Sequence, residues 1–452
     1  MQHHSLSKQI LGILIIFGLL VLPNCHPLDA NKIIEKVFPS SDSPISAYGW
    51  VGVTFSQEID KDSVTEAFSI SPALEGTTFW KEDTFWFRPI QPFERDVAYQ
   101  ARLVGELQSP SGRTFSLDQT WTFTIRQPDL IYYVPMAEGG EIWRVNSGGG
   151  QAQQLSFTDG NVIDFAPDRS GSQIAFTVLN GSQGSDLWVM DREGDGQRLL
   201  VGCNQDLCSE PAWSMDRSRV AFTRQVYNPE SGGYYPAKVW MVEILSGDSD
   251  PLLHGEDLQG QSPSFSPDGR WGAFYDPIAE AIRIFDLATY EVKDTIPRAL
   301  PGAGDWSPDS QKLIYTDLVP AHHEPFVEVY IYDLETQTIN RAFDEATSDT
   351  EFSQPRWAPD ANWIAVSLRP VNAALSKALW VLPLIERDPI LIDDDQTATF
   401  SAYQWNPWGD SLLYQRYDLS SSDPRGSIWR WDWRTRQNML LIEDGLRPQW
   451  LP

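Results

Sequence analysis

The chain has 452 residues, with 62 acidic against 34 basic side chains, a formal charge of −28 and 19 tryptophans. An apolar fraction of 41% excludes disorder, and the length exceeds what one small core organises, so two or three units are expected. The negative balance repels phosphate backbones and anionic lipid, which excludes nucleic-acid binding through bulk electrostatics.

Residues 1–25 read as a targeting segment. Ile10 to Leu22 form an uncharged run of 13 residues behind Lys8, shorter than the ~20 that span a bilayer and suited to a signal-peptide core. Leu22-Pro23-Asn24-Cys25 comes next and resembles the bacterial lipobox, with Pro23 and Asn24 where small residues are usual. The resemblance implies lipidation at Cys25 and contact with membrane only through this N-terminal anchor. The alternatives are a cleaved signal peptide with a free thiol, or an uncleaved anchor. Of the three cysteines, Cys203 and Cys208 are close in sequence and form a candidate disulfide in an exported chain, leaving Cys25 as the odd one.

Between residues 36 and 127 strand-like stretches (GWVGVTF, FSISPAL, TFWFRPI, AYQARLVGEL, TWTFTI) alternate with turn-rich joints, the texture of a small β-sandwich. GWVGVTFSQEIDKDSV, FRPIQPFERDVAYQARL and the closing TWTFTI resemble the bacterial Ig-like domains of surface-layer and other exported proteins. The joint Arg126-Gln127-Pro128-Asp129 is short, so this module is expected to pack against the C-terminal two thirds of the chain.

From 130 to 452 the chain repeats itself. DFAPDRSGSQIAF, AWSMDRSRVAF, SFSPDGRWGAF, DWSPDSQKLIY, RWAPDANWIAV and QWNPWGDSLLY each place an aromatic before a tight turn and a second apolar strand. The aromatics are Phe165, Trp213, Phe265, Trp306, Trp357 and Trp405, at spacings of 48, 52, 41, 51 and 48 residues. LWVMD, VWMVE, IRIFD, VYIYD, LWVLP and IWRWD follow in register. A seventh copy, IWRVN at 142–146, precedes the first aromatic turn, and its missing inner strand is supplied by RPQWLP at the other end of the chain. These motifs resemble the TolB-like β-propeller family. The resemblance implies a β-propeller, and the seven copies in the sequence give seven blades closed by the C-terminal strand, with six blades as the alternative, so that the expected fold is all-β, sandwich then propeller. Met215 and Trp408 stand where that family usually has proline and aspartate.

Several motifs imitate active sites. Gly409-Asp410-Ser411-Leu412 spells a hydrolase signature but falls inside a repeat turn. Asp191, Glu193 and Asp195 imitate a calcium loop at an expected hairpin, Asp393 to Asp395 read as a solvated loop, and the adjacent His322 and His323 diverge on a strand. No GxSxG elbow occurs. The expectation is therefore a chain that is not an enzyme and carries no metal or cofactor.

Within four-stranded antiparallel blades, the PDG-like turns share one face with short hairpins, whereas the middle connections and inter-blade links share the other. That second face receives the long loops, which carry Tyr227, Tyr234, Tyr235, His322, His323, Phe326, Arg369, Arg416 and Arg425, and the Cys203–Cys208 pair lies in an inter-blade link there. These residues are the candidate contacts for a protein or glycan partner of the cell envelope. The sequence reading is an exported, monomeric, envelope-located binding or scaffolding protein. Polysaccharide binding is its nearest alternative, and a hydrolase or lyase acting in the propeller channel a more distant one.

Overall fold

The computed structural model describes residues 33–136, 139–253, 258–319, 326–343, 350–371, 376–420 and 426–452. Strands dominate, and the one helix among the described residues is Lys61–Ala67. Asp60 starts this helix, its Oδ1 accepting from the Ser63 N–H at 2.9 Å, a cap set within the acidic stretch DKDS that the strand pattern alone does not announce.

The N-terminal module is two four-stranded sheets. One runs Ile34–Phe38, Val51–Phe55, Thr84–Pro89, Gly76–Lys81 in spatial order, and the other Ser43–Ile45, Thr114–Ile125, Tyr99–Gln108, Phe68–Ser71. Tyr99–Gln108 and Thr114–Ile125 alternate buried and exposed residues along much of their length, as strands with one wet face do. Their inward set (Tyr99, Ala101, Leu103, Trp121, Phe123) joins Val51, Val53, Phe55 and Phe85 in one core.

From Asp129 onward the described strands form one twelve-stranded sheet, made of three four-stranded arrays joined by single-residue pairings, followed by four separate four-stranded arrays. The first of these seven arrays consists of Asp129–Pro135, Gly140–Asn146 and the short Gln153–Gln154, completed on its inner side by Leu446–Leu451 from the far end of the chain. The inner strands of the other six are Val162–Pro167, Leu207–Trp213, Gln261–Phe265, Asp305–Trp306, Thr350–Trp357 and Ala398–Trp405. Each repeat aromatic stands at or near the end of one of these, and Phe165, Trp213, Trp306, Trp357, Trp405 and Trp450 are between 2% and 8% exposed.

Two local devices explain why the repeat has its composition. In the turn after the inner strand, Ser214, Ser266 and Ser307 each donate Oγ to the aspartate two residues on and accept from the N–H five residues on, at 2.9–3.0 Å for the latter. The serine and aspartate thus replace backbone bonds that so tight a turn cannot make. In the inner strand, the residue three before the aromatic adopts a left-handed backbone: Glu210, Ser262, Gln354, Ala402 and Arg447 have φ between 48° and 55°. In all five the ladder skips there, so each inner strand carries a bulge at the same place.

Side chains of the preceding array satisfy backbone donors at these bulges and at the aromatics that follow them. Asp164 accepts from the Glu210 N–H (3.1 Å), Glu210 from the Ser262 N–H (2.7 Å), Asp305 from the Trp357 N–H (2.8 Å), Gln354 from the Ala402 N–H (3.2 Å) and Gln404 from the Trp450 N–H (2.6 Å). Gln449 closes the circuit by donating to the Phe165 carbonyl at 3.0 Å. Indole N–H groups add to the lacing, with Trp213 bound to the Ala166 carbonyl and Trp450 to that of Gln404. Replacing Trp450 by alanine should cost about 3–5 kcal/mol in urea denaturation, the range for deleting a buried large aromatic. A loss under about 0.5 kcal/mol would show that the arrays do not depend on this strand.

Candidate functional site

The sandwich sits against the short-turn side of the arrays. Trp408 donates its indole N–H to the Phe93 carbonyl at 2.9 Å and packs on the edge of the sandwich core. Arg95 lies over the Trp408 ring and pairs with Asp410. Arg169 lies 4.1 Å from the Tyr48 ring centre and donates to the Pro267 carbonyl at 2.8 Å, and Arg217 lies 3.5 Å over Trp50. Burial lowers the Arg217 guanidinium from its ordinary value, yet the aromatic face and nearby Asp168 and Asp216 keep a cation reasonable there. At the joint, Arg126 and Arg192 both donate to the Pro452 oxygen, at 3.0 and 2.9 Å, and burial, followed by the neighbouring Arg192, lowers Arg126 to about 10. Met215 lines the same junction with Trp50 and Arg88.

Beside this junction lies a cavity of about 650 Å³. Its walls are turn prolines and inner-strand residues of the first, fifth, sixth and seventh arrays, with Tyr48, Ile90 and Gln91 contributed by the sandwich. The charged groups that line it are Asp168, Arg169, Asp305, Arg356 and Arg447. Asp168 is buried and committed to the turn, accepting from Ser170, Ser172 and Gln173 at 2.6–2.7 Å. Asp305 holds the Trp357 N–H and receives Arg356 Nη1 at 3.3 Å, and burial pushes its carboxyl upward from the usual range while Arg356 pulls it back. Arg447 reaches the Ile163 carbonyl (2.7 Å) and Asp164 (3.4 Å) through Nη1. Burial likewise raises Asp164, opposed first by Arg447.

The residues singled out from sequence fall elsewhere. Cys25, His322, His323 and Arg425 lie outside the described residues. Cys203 and Cys208 are joined as a disulfide in the link between the second and third arrays. Tyr227 and Tyr234 pair edge to face at 5.8 Å, the Tyr234 hydroxyl donates to the Gln183 carbonyl, and Tyr235 stands half exposed beside them. Phe326 opens strand Phe326–Asp333 opposite Val319. Arg369 is bound to Glu351 at 2.7 Å together with Lys377, and Arg416 is held by Asp395 and lies over Trp429, so both arginines already serve their own loops. Ser411 is buried and donates to the Trp431 carbonyl, while Asp191 accepts from the N–H groups of Glu193 and Asp195 as a hairpin cap. The cavity residues and Trp408 were not singled out as functional. For Arg356, Arg447 and Trp408 the available signal was that each departs from what the other repeats carry at its position.

No family model matches the chain. It is 30% identical over 112 residues to the uncharacterized peptidase YuxL of Bacillus subtilis, covering 24% of this chain and 17% of that one. It is 26% identical over 136 residues to the uncharacterized protein Atu1656 of Agrobacterium fabrum, covering 28% and 45%. The chain thus spans less than half the length of either curated relative. Among solved structures it is similar to TolB from Acinetobacter baumannii (TM-score 0.43, 17% identity, 72% of this chain and 83% of that one). It is also similar to the β-propeller domain of the Trilobed protease from Pyrococcus furiosus (TM-score 0.46, 14% identity, 64% and 85%). The expectation of a chain that is not an enzyme is corrected here. The finding against it is that one curated relative, matched over 17% of its length, is named as a peptidase. The sequence argument rested on the missing GxSxG elbow, which bears on one class of serine hydrolase and on no other chemistry.

The junction predicts its own weak point. Trp408→Ala removes an indole hydrogen bond and the surface under Arg95, and should expose the 126–129 joint to limited proteolysis at least several-fold faster while the array core unfolds at its original midpoint. Equal cleavage rates in the two proteins would count against a docked sandwich.

Proposed function

We propose that the chain is an exported, cell-envelope binding protein: a leader at 1–25 with lipidation at Cys25, an Ig-like sandwich at 36–127 and a seven-bladed TolB-like propeller at 130–452. Its protein partner is taken by the long-loop face. The observation that carries this reading is the position of the sandwich, which contacts the short-turn side through Arg95, Trp408, Arg169 and Arg217 and leaves the opposite side, with Tyr235 half exposed beside the Tyr227–Tyr234 pair, free for a partner. The Cys203–Cys208 disulfide, in a link on that side, suits an oxidising compartment.

Removing the loop tip around Tyr234 and Tyr235 should reduce recovery of the partner from envelope extracts by at least tenfold, since exposed tyrosines anchor interfaces at about 2 kcal/mol each. Undiminished recovery would set the face aside. For the anchor, Cys25→Ala should move the protein from the membrane to the soluble fraction, and a mature N-terminus other than Cys25 would end the lipidation reading.

A second reading, an enzyme whose site lies at the short-turn end of the channel, is favoured by the convergence of Asp305, Arg356 and Arg447 on one cavity and by the relative named as a peptidase. Turnover of peptide or glycan libraries that is abolished by Asp305→Asn in a protein of unchanged fold would select it.

A further inference from the structure

We propose that the cavity between the sandwich and the arrays is a binding site for a small organic carboxylate, with Arg356 and Arg447 receiving its negative charge. The site is separate from the long-loop face and holds whether the ligand is retained or turned over.

The electrostatics of the cavity run against those of the molecule. In a chain of net charge −28, the cavity is lined by three arginines and two aspartates. Both aspartates are committed, Asp168 to its turn and Asp305 to the Trp357 N–H and Arg356. Arg169 is committed too, with Nη1 on the Pro267 carbonyl, Nη2 on that of Ile90 and its plane over Tyr48. Arg356 and Arg447 differ. Each donates hydrogen bonds to the protein through Nη1 only among the described residues, Arg447 also lying 5.5 Å from the Tyr133 ring centre, and their side chains are 47% and 51% exposed. A guanidinium has five N–H donors in a planar fork, so both retain an unused edge, the geometry that receives a carboxylate.

The repeat supplies an independent observation. The residue before the inner-strand aromatic is Asp164, Ala212, Ser264, Asp305, Gln404 or Gln449 in six arrays, small or able to accept, and it is Arg356 in the remaining one. The left-handed bulge position holds Glu210, Ser262, Gln354 and Ala402, and then Arg447. Both exceptions line the same cavity. Where the other copies lace through a side-chain acceptor, Arg356 and Arg447 lace as donors, to Asp305 and to Ile163 and Asp164, and that task engages one nitrogen of each fork. The rest of the wall selects the ligand's body. Pro167, Pro267, Pro308, Pro359 and Pro407 present pyrrolidine rings from five of the turns, and a volume of about 650 Å³ suits a molecule with an apolar part as well as its charge.

The test uses the full chain without its leader and N-benzoylglutamate as probe, with the neutral N-benzoylglutamine amide as control, by calorimetry and by tryptophan fluorescence at low salt. Trp306, Trp357 and Trp405 line the cavity and report occupancy. The dicarboxylate should bind at least tenfold more tightly than the amide and lose affinity as salt rises. Arg356→Gln and Arg447→Gln should each weaken it about tenfold, the loss expected for one charged hydrogen-bonding partner. Arg270→Gln, a charge removed outside the cavity, should leave affinity unchanged. If a glutamine variant is thermally destabilised, Arg356→Lys and Arg447→Lys decide, because they keep the charge and lose the fork; they should bind more weakly than the parent. Equal affinity for acid and amide, equal affinity of the parent and both variant series, or no binding of the dicarboxylate would overturn the proposal.

Discussion

Everything in the larger module depends on the satisfaction of backbone donors at the bulged inner strands. A bulge removes a residue from the ladder, and a buried N–H left without a partner costs roughly 1–3 kcal/mol. Here the side chain of one array accepts from the backbone of the next, as in Glu210 to Ser262 or Gln354 to Ala402. Neighbouring arrays are therefore joined by directional bonds as well as by aromatic packing. The left-handed residues are tolerated because this surrounding lattice over-determines them. Gln449 and Trp450, arriving from the far end of the chain, make bonds of the same kind as the internal arrays, so closure needs no special chemistry.

That regularity makes the short-turn side uniform, and the sandwich attaches where uniformity is broken. Trp408 and Met215 occupy turn positions where other copies carry aspartate or proline, and both lie at the junction. Arg169 and Arg217 serve twice, tying their turns to those of other arrays and stacking on Tyr48 and Trp50. An interface built from arginines on aromatic faces tolerates partial burial of charge because the ring replaces part of the lost hydration.

The sequence made the strand-rich class, the repeat register and the buried aromatics legible, because each rests on a period that recurs many times. Phe165, Trp213 and Trp450 stand at or near the ends of inner strands as their spacing implies. The helix Lys61–Ala67 was not legible, since seven residues carry no sustained period. The ion pairs of Arg369 and Arg416, candidate partner contacts by sequence, were not legible because Glu351 and Asp395 are brought near them only by strand pairing. The cavity escaped for a related reason: its walls come from six arrays and the sandwich, and no local window contains more than a fraction of it.

The same cause underlies the junction and the cavity. In a repeat, most positions are fixed by a structural task that every copy shares, so a residue that cannot perform the task is retained for some other purpose or displaces the task elsewhere. Trp408 cannot play the usual turn role, and the turn is held instead by Asn406, which accepts from Asp410 and Ser411 while Trp408 is given to the sandwich. Arg447 sits at a bulge whose N–H is accepted by Gln415 from the second strand of the seventh array, which leaves its side chain directed to Ile163, Asp164 and the cavity. In both cases a neighbouring amide takes over the shared task. The compensation frees the odd residue, and that is the physical reason departures within this repeat gather where the molecule meets something other than itself.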